Sequence, residues 1–167
     1  MLSEKDFKIP FEGLKIGSHE FEYELNDAFF KLLSSGFVEK GDLALHFKLD
    51  KKERMMLGHF EFTGEIIHPC DLCNDDVNVP LNGSFDIVFK FGNEDSEDEN
   101  LIMVADSQFE IDLFPLCNEF IAAMLPSKIT HEEGDCNEDM LKLLDKYSTE
   151  DDNVDVDPRW DALRKLN

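Results

Sequence analysis

The chain has 167 residues, 16 Lys and Arg against 38 Asp and Glu, and a formal charge of −22. That length suits one domain, or one domain with a tail, and fifteen Phe among 42% hydrophobic residues suffice for a sizeable core. The acid balance argues against a direct grip on phosphate backbones, which depends on Lys and Arg neutralising phosphates.

No apolar run approaches the ~20 residues of a bilayer span. The start, Met1 to Asp6, lacks the basic and apolar stretches of a signal peptide. A cytoplasmic protein with no membrane partner is expected, its four cysteines thiols or ligands rather than disulfides.

In chain order, Phe7 to Pro10 reads as a short strand and Gly13 to Gly17 as a turn. Phe21, Tyr23 and Leu25 alternate in a second strand. Asn26 is an N-cap candidate for a helix from about Asp27 to Leu33, ended by Ser35-Gly36. Leu43, Leu45 and Phe47 mark another strand, and Asp50 to Arg54 a polar turn.

Two long alternations follow. Met56, Phe60, Phe62 and Ile66 share one face of the first; Val77, Val79, Leu81, Gly83, Phe85, Ile87, Phe89 and Phe91 share one face of the second. Period-two alternation predicts half-buried antiparallel strands forming a long hairpin. Its tip is Pro69-Cys70-Asp71-Leu72-Cys73, where a tight turn aims two thiolates at one point.

Structural zinc takes four ligands in a tetrahedron, and His131-x4-Cys136 offers two more at a spacing that suits one loop. The expected site is therefore Cys70, Cys73, His131 and Cys136 around a structural zinc, tying the C-terminal segment to the hairpin tip. His68 is an alternative fourth ligand. Other readings keep Cys70 and Cys73 as ordinary turn thiols or as a redox pair. The redox reading is disfavoured because Asn74, Asp75 and Asp76 follow, and acids raise a thiol pKa.

Beyond the hairpin, the acidic stretch 93–100 carries five acids and no base and reads as a solvated loop. Leu101 to Val104 is a short strand. Asp112 caps the clearest helix, with Pro115 in its first turn and Leu113, Leu116, Cys117, Phe120 and Met124 on one side. Cys117 thus faces the core and is left out of the metal site. Pro126 ends this helix. A short helix from Asn137 to Lys146 carries Met140, Leu141, Leu143 and Leu144. Ser148 to Asp157 reads as an acidic linker, and Asp157-Pro158 opens a last helix with Trp160, Leu163 and Leu166.

The order of these motifs (Cys70-x-x-Cys73 after a β-rich half, the helix to Leu125-Pro126, His131-x4-Cys136, and Asp157-Pro158-Arg159-Trp160-x-x-Leu163) resembles the YceD family across most of the chain. The resemblance implies a non-enzymatic role in accumulation of large-subunit ribosomal RNA and in ribosome assembly. It departs at one place: many members have Cys-x-Arg-Cys, where this chain has Leu72.

The expected fold is α+β: a twisted antiparallel sheet built on the hairpin with a packed helix, residues 1–147 forming the domain and 148–167 a linker and terminal helix. No catalytic residue can be assigned from spacing. The expected partner is a basic ribosomal protein or the pre-ribosomal large subunit, steered by Glu94 to Glu99 and Glu150 to Asp157. Rival functions are a Cys-x-x-Cys redox protein, an acidic nucleic-acid mimic, and a metal-stabilised adapter unrelated to ribosomes.

Overall fold

The computed structural model describes residues 3–33, 38–92, 98 and 100–148. Seven strands and three helices follow in the order β1 (Lys8–Pro10), β2 (Gly17–Leu25), α1 (Asp27–Phe30), β3 (Lys40–Lys51), β4 (Met55–Pro69), β5 (Asp76–Phe91), β6 (Leu101–Val104), β7 (Glu110–Asp112), α2 (Phe114–Met124) and α3 (Glu138–Tyr147). A 3-10 turn, Glu4–Phe7, precedes β1.

Strands β2, β3, β4 and β5 form an antiparallel meander, and β6 adds to β5 in parallel. The α+β fold and antiparallel meander are as expected, and the parallel β6 makes the sheet mixed at one edge. Strand β7, which the sequence did not announce, pairs with β1 as a separate two-stranded ribbon.

The alternation does what a one-sided sheet requires. Met56, Phe60, Phe62 and Ile66 of β4 are buried, as are Leu43, Leu45, Phe47 and Leu49 of β3 and Val79, Leu81, Ile87 and Phe89 of β5. The opposite face is polar: the cross-strand row Glu20, Lys48, His59, Asp86 runs over it, with His59 Nδ1 2.7 Å from Asp86 Oδ1.

Helix α2 covers the apolar face. The Phe120 ring stacks on Phe85 at 4.3 Å between centroids and meets Phe60 edge-on at 5.0 Å. The N-cap of α2 is Leu113 and not the expected Asp112, which closes β7 one residue earlier and whose Oδ1 accepts from the Phe114 N–H at 3.0 Å. Leu113, Leu116, Cys117 and Phe120 are buried; so is Ile121, which the helical pattern had not included. A second aromatic group, Phe7 with Tyr23, Phe29 and Phe114, holds the N-terminal ribbon and α1 to the core. Asn26 caps α1 by accepting from the Ala28 N–H at 3.0 Å, but the α-helix stops at Phe30 rather than Leu33. Its expected end at Ser35-Gly36 lies outside the described residues.

Two glycines set where the hairpin bends and what lies over it. At Gly83 a Cβ would stand 2.6 Å from Met124 Sδ, so the bare backbone leaves room for the Met124 side chain in the last turn of α2. Gly64 has φ +149, and a Cβ there would collide with the Asp42 carbonyl oxygen. Gly64→Ala should therefore destabilise the protein by about 1–3 kcal/mol or more, from the strained dihedral and the clash together. Urea unfolding checks this; an unchanged midpoint would contradict the register of β3 on β4.

Candidate metal centre

The hairpin between β4 and β5 closes through its own backbone. The Cys70 N–H donates to the Asp75 carbonyl (2.9 Å) and the Asn74 N–H donates to the Cys70 carbonyl (2.9 Å). This demands a left-handed residue, and Asn74 takes φ +62, a conformation Asn tolerates better than most. The turn leaves the Leu72 N–H 3.4 Å from Cys70 Sγ, a bond to sulfur that a thiolate strengthens.

A second segment arrives from α2. After Leu125 the chain runs to Ile129, which is buried in the core and pairs with Asp71 in both directions. The Asp71 N–H donates to the Ile129 carbonyl (2.8 Å), and the Ile129 N–H donates to Asp71 Oδ2 (2.7 Å). Two residues on, His131 reaches the turn. Its Nε2 lies 3.2 Å from the Asp76 carbonyl oxygen, which can only accept. In the neutral ring that contact places the proton on Nε2 and leaves the Nδ1 lone pair facing the sulfurs.

Cys70, Cys73, His131 and Cys136 thus converge, their ligand atoms all within 4.8 Å of one another. A tetrahedral ion with metal–sulfur bonds of about 2.3 Å separates its sulfurs by about 3.8 Å and sulfur from nitrogen by about 3.6 Å. Here Cys70 Sγ and Cys136 Sγ are 3.8 Å apart, and His131 Nδ1 is 3.3 Å from Cys73 Sγ and 3.8 Å from Cys136 Sγ. These three separations lie near those of a four-coordinate ion, and the donor set suits one.

The clustered thiols and imidazole perturb one another's ionisation. Burial pushes the Cys70 thiol up, but backbone N–H groups of Cys73, Leu72 and His131 outweigh it and bring the thiol down to about 6. The following acids do not decide its ionisation, contrary to the expectation from charge alone. Cys136 moves the other way, to about 11, through burial and then the neighbouring Cys70 and Cys73 sulfurs. His131 is held above the usual imidazole range, chiefly by the Cys70 sulfur. One thiolate forms readily and the next is resisted, which is the condition a bound cation relieves.

Other candidates fall outside. His68 turns its Nδ1 to the Pro69 carbonyl oxygen at 2.9 Å and does not join the cluster. Cys117 is fully buried in the core, and burial drives its thiol far above the usual range. Leu72 stands 36% exposed on the turn.

The groups around the ligands escaped sequence reasoning. Asp71, Asp75 and the Asp76 carbonyl hold the incoming segment, and Asn137 Nδ2 donates to Asp75 Oδ2 at 3.2 Å, pinning the start of α3 beside Cys136. The one signal available was an aspartate inside the Cys-x-x-Cys, the residue that holds Ile129.

Among the described residues no helix is long and apolar enough to cross a membrane. Residues 58–167 match the family described as large ribosomal RNA subunit accumulation protein YceD. The chain is also 31% identical over 123 residues to the uncharacterized protein YlbN of Bacillus subtilis (strain 168), covering 71% of this chain and 70% of that one. No solved structure matches it. With that family match spanning the hairpin, α2, both ligand pairs and the C-terminal segment, the chain belongs to the YceD family.

Proposed function

We propose that this protein is a non-enzymatic cytoplasmic factor in the accumulation of large-subunit ribosomal RNA and in ribosome assembly. We further propose that it binds a basic ribosomal protein rather than naked RNA. The observation that carries the second half is charge. The chain holds −22, and no charged residue among those described is buried, so the acids of the described residues reach the surface. Such a surface repels a polyanion at long range and attracts a polycation. The steering stretches expected at Glu94 to Glu99 and Glu150 to Asp157 lie, Asp98 apart, outside the described residues. The open sheet face, with Glu20, Glu22, Glu24, Glu61 and Asp86, adds acid of its own.

Purified protein should bind individual large-subunit ribosomal proteins, with affinity falling as salt rises, and should show little affinity for naked large-subunit RNA near physiological salt. Calorimetry or anisotropy across a salt series measures both. Tight, specific RNA binding with no protein present would overturn the indirect reading.

In the same proposal, Cys70, Cys73, His131 and Cys136 hold one structural zinc. The support is the sulfur spacing together with the Nδ1-directed histidine. Bound there, zinc supplies charge neutralisation for the thiolates and a cross-link between the hairpin tip and residues 126–136. Ligation in small zinc sites contributes on the order of 10 kcal/mol, although this chain has a core of its own. Protein purified without chelator should carry about one zinc per chain. Cys70→Ser should lower the melting temperature well beyond Cys117→Ser, which removes no ligand. Chelation should speed hydrogen exchange in residues 126–147 while β3, β4 and β5 stay protected. Substoichiometric metal in an intact fold would contradict the assignment.

The proposed domain division places residues 1–147 in the folded unit. Deleting residues 158–167 should then leave unfolding cooperative, and a molten or insoluble product would place that segment in the core.

A further inference from the structure

Helix α3 has no residue in the core. Its Met140, Leu143, Leu144 and Tyr147 are 39%, 48%, 51% and 71% exposed. Their spacing of three, four and three or four residues puts them on one side of the cylinder. Lys142 occupies the other side, paired with Glu138 at 3.5 Å and Asp139 at 3.8 Å. Among the described residues this is an apolar stripe on a helix held at one end only: Asn137 caps it and bonds Asp75, and Cys136 precedes it in the metal cluster. A ten-residue helix is marginal in water unless its apolar face is covered.

We propose that this face is the docking site for the chain's own residues 158–167, folded back beside α3 as a helical hairpin. Three observations carry the choice. Residues 158–167 repeat the same kind of stripe, with Trp160, Leu163 and Leu166. They also reverse the charge of the chain: Arg159, Arg164 and Lys165 stand against Asp161 alone, whereas residues 131–147 hold six acids and two lysines. The join suits the geometry as well. Ten residues, Ser148 to Asp157, lie between the two elements. A flexible chain of that length spans about 17 Å, and α3 is about 15 Å long, so the segment can turn back along the helix without strain. Tethering favours it over any external occupant of similar affinity. This inference goes beyond the ribosomal reading and stands apart from it, since both elements lie in one chain.

Trp160 is the single tryptophan of the chain, so its fluorescence reports the tail and nothing else. In the full-length, zinc-loaded protein its emission should be blue-shifted and its quenching by acrylamide severalfold weaker than that of N-acetyltryptophanamide. The double variant Leu143→Asp/Leu144→Asp changes only exposed positions. It should shift emission to longer wavelength and raise quenching to the free-indole level, with circular dichroism retaining the sheet. Leu163→Asp should do the same, and Ile16→Asp, at an exposed site elsewhere, should not. Emission like free indole in the unaltered protein would overturn the proposal. So would blue emission that survives the α3 variant, or a blue shift that grows with protein concentration and thus reports a second copy.

Discussion

The reciprocal bonds between Asp71 and Ile129 are the constraint on which the rest of the candidate site depends. They join two segments 58 residues apart in sequence, one from the turn between the longest strands and one from the end of α2. Each partner satisfies a backbone group that would otherwise sit unpaired beside the buried Ile129 side chain, at a cost of roughly 1–3 kcal/mol per group. Because the pairing is made at both backbone and side chain, it fixes the register of the incoming segment. Register in turn decides that His131, two residues on, meets the sulfurs rather than solvent. Ligand convergence is thus supported by hydrogen bonds that the chain makes around the four side chains.

That dependence explains how much was legible in the sequence. Strands β2, β3, β4 and β5 could be read because the sheet is covered on one side only, so the less exposed residues alternate with the more exposed ones along most of each strand. The four cluster residues could be read because their spacing is a local property of each pair. Strand β7 could not: it has three residues, one of them buried, and its partner β1 lies a hundred residues upstream. The parallel placement of β6 was hidden for a similar reason, since Leu101 to Val104 looks the same in either direction. Asp71, Asp75 and Asp76 read as ordinary turn acids, and only the fold turns them into partners of Ile129, Asn137 and His131. Their negative charge suggested a raised thiol pKa; backbone N–H groups at hydrogen-bond distance from the sulfur outweighed it at Cys70.

Charge and core occupy separate parts of this molecule. The aromatic groups around Phe7 and Phe120 require no polar partner, and no charged residue among those described is buried. The described part of the fold therefore tolerates many surface acids, because none of them lies in the core. Self-repulsion of this kind weakens compact states, and salt screens it over a Debye length of about 8 Å at physiological strength. A cross-link between the hairpin tip and the C-terminal part, where six acids crowd residues 131–147, opposes that repulsion where it is strong.

The same reasoning places α3 at the border between folding and binding. Its orientation is inherited through Cys136 and Asn137 from the cluster, while its apolar stripe contributes nothing to the core. An element of that kind is positioned by one interaction and stabilised by another, so whatever covers Met140, Leu143, Leu144 and Tyr147 must act on a surface already held in place. A pre-oriented surface lowers the ordering cost of association. Loss of the cross-link would free α3 from the hairpin and raise that cost, without touching a residue of the stripe. Asn137 and Cys136, two adjacent residues at the start of the helix, are where the Cys/His cluster and α3 meet.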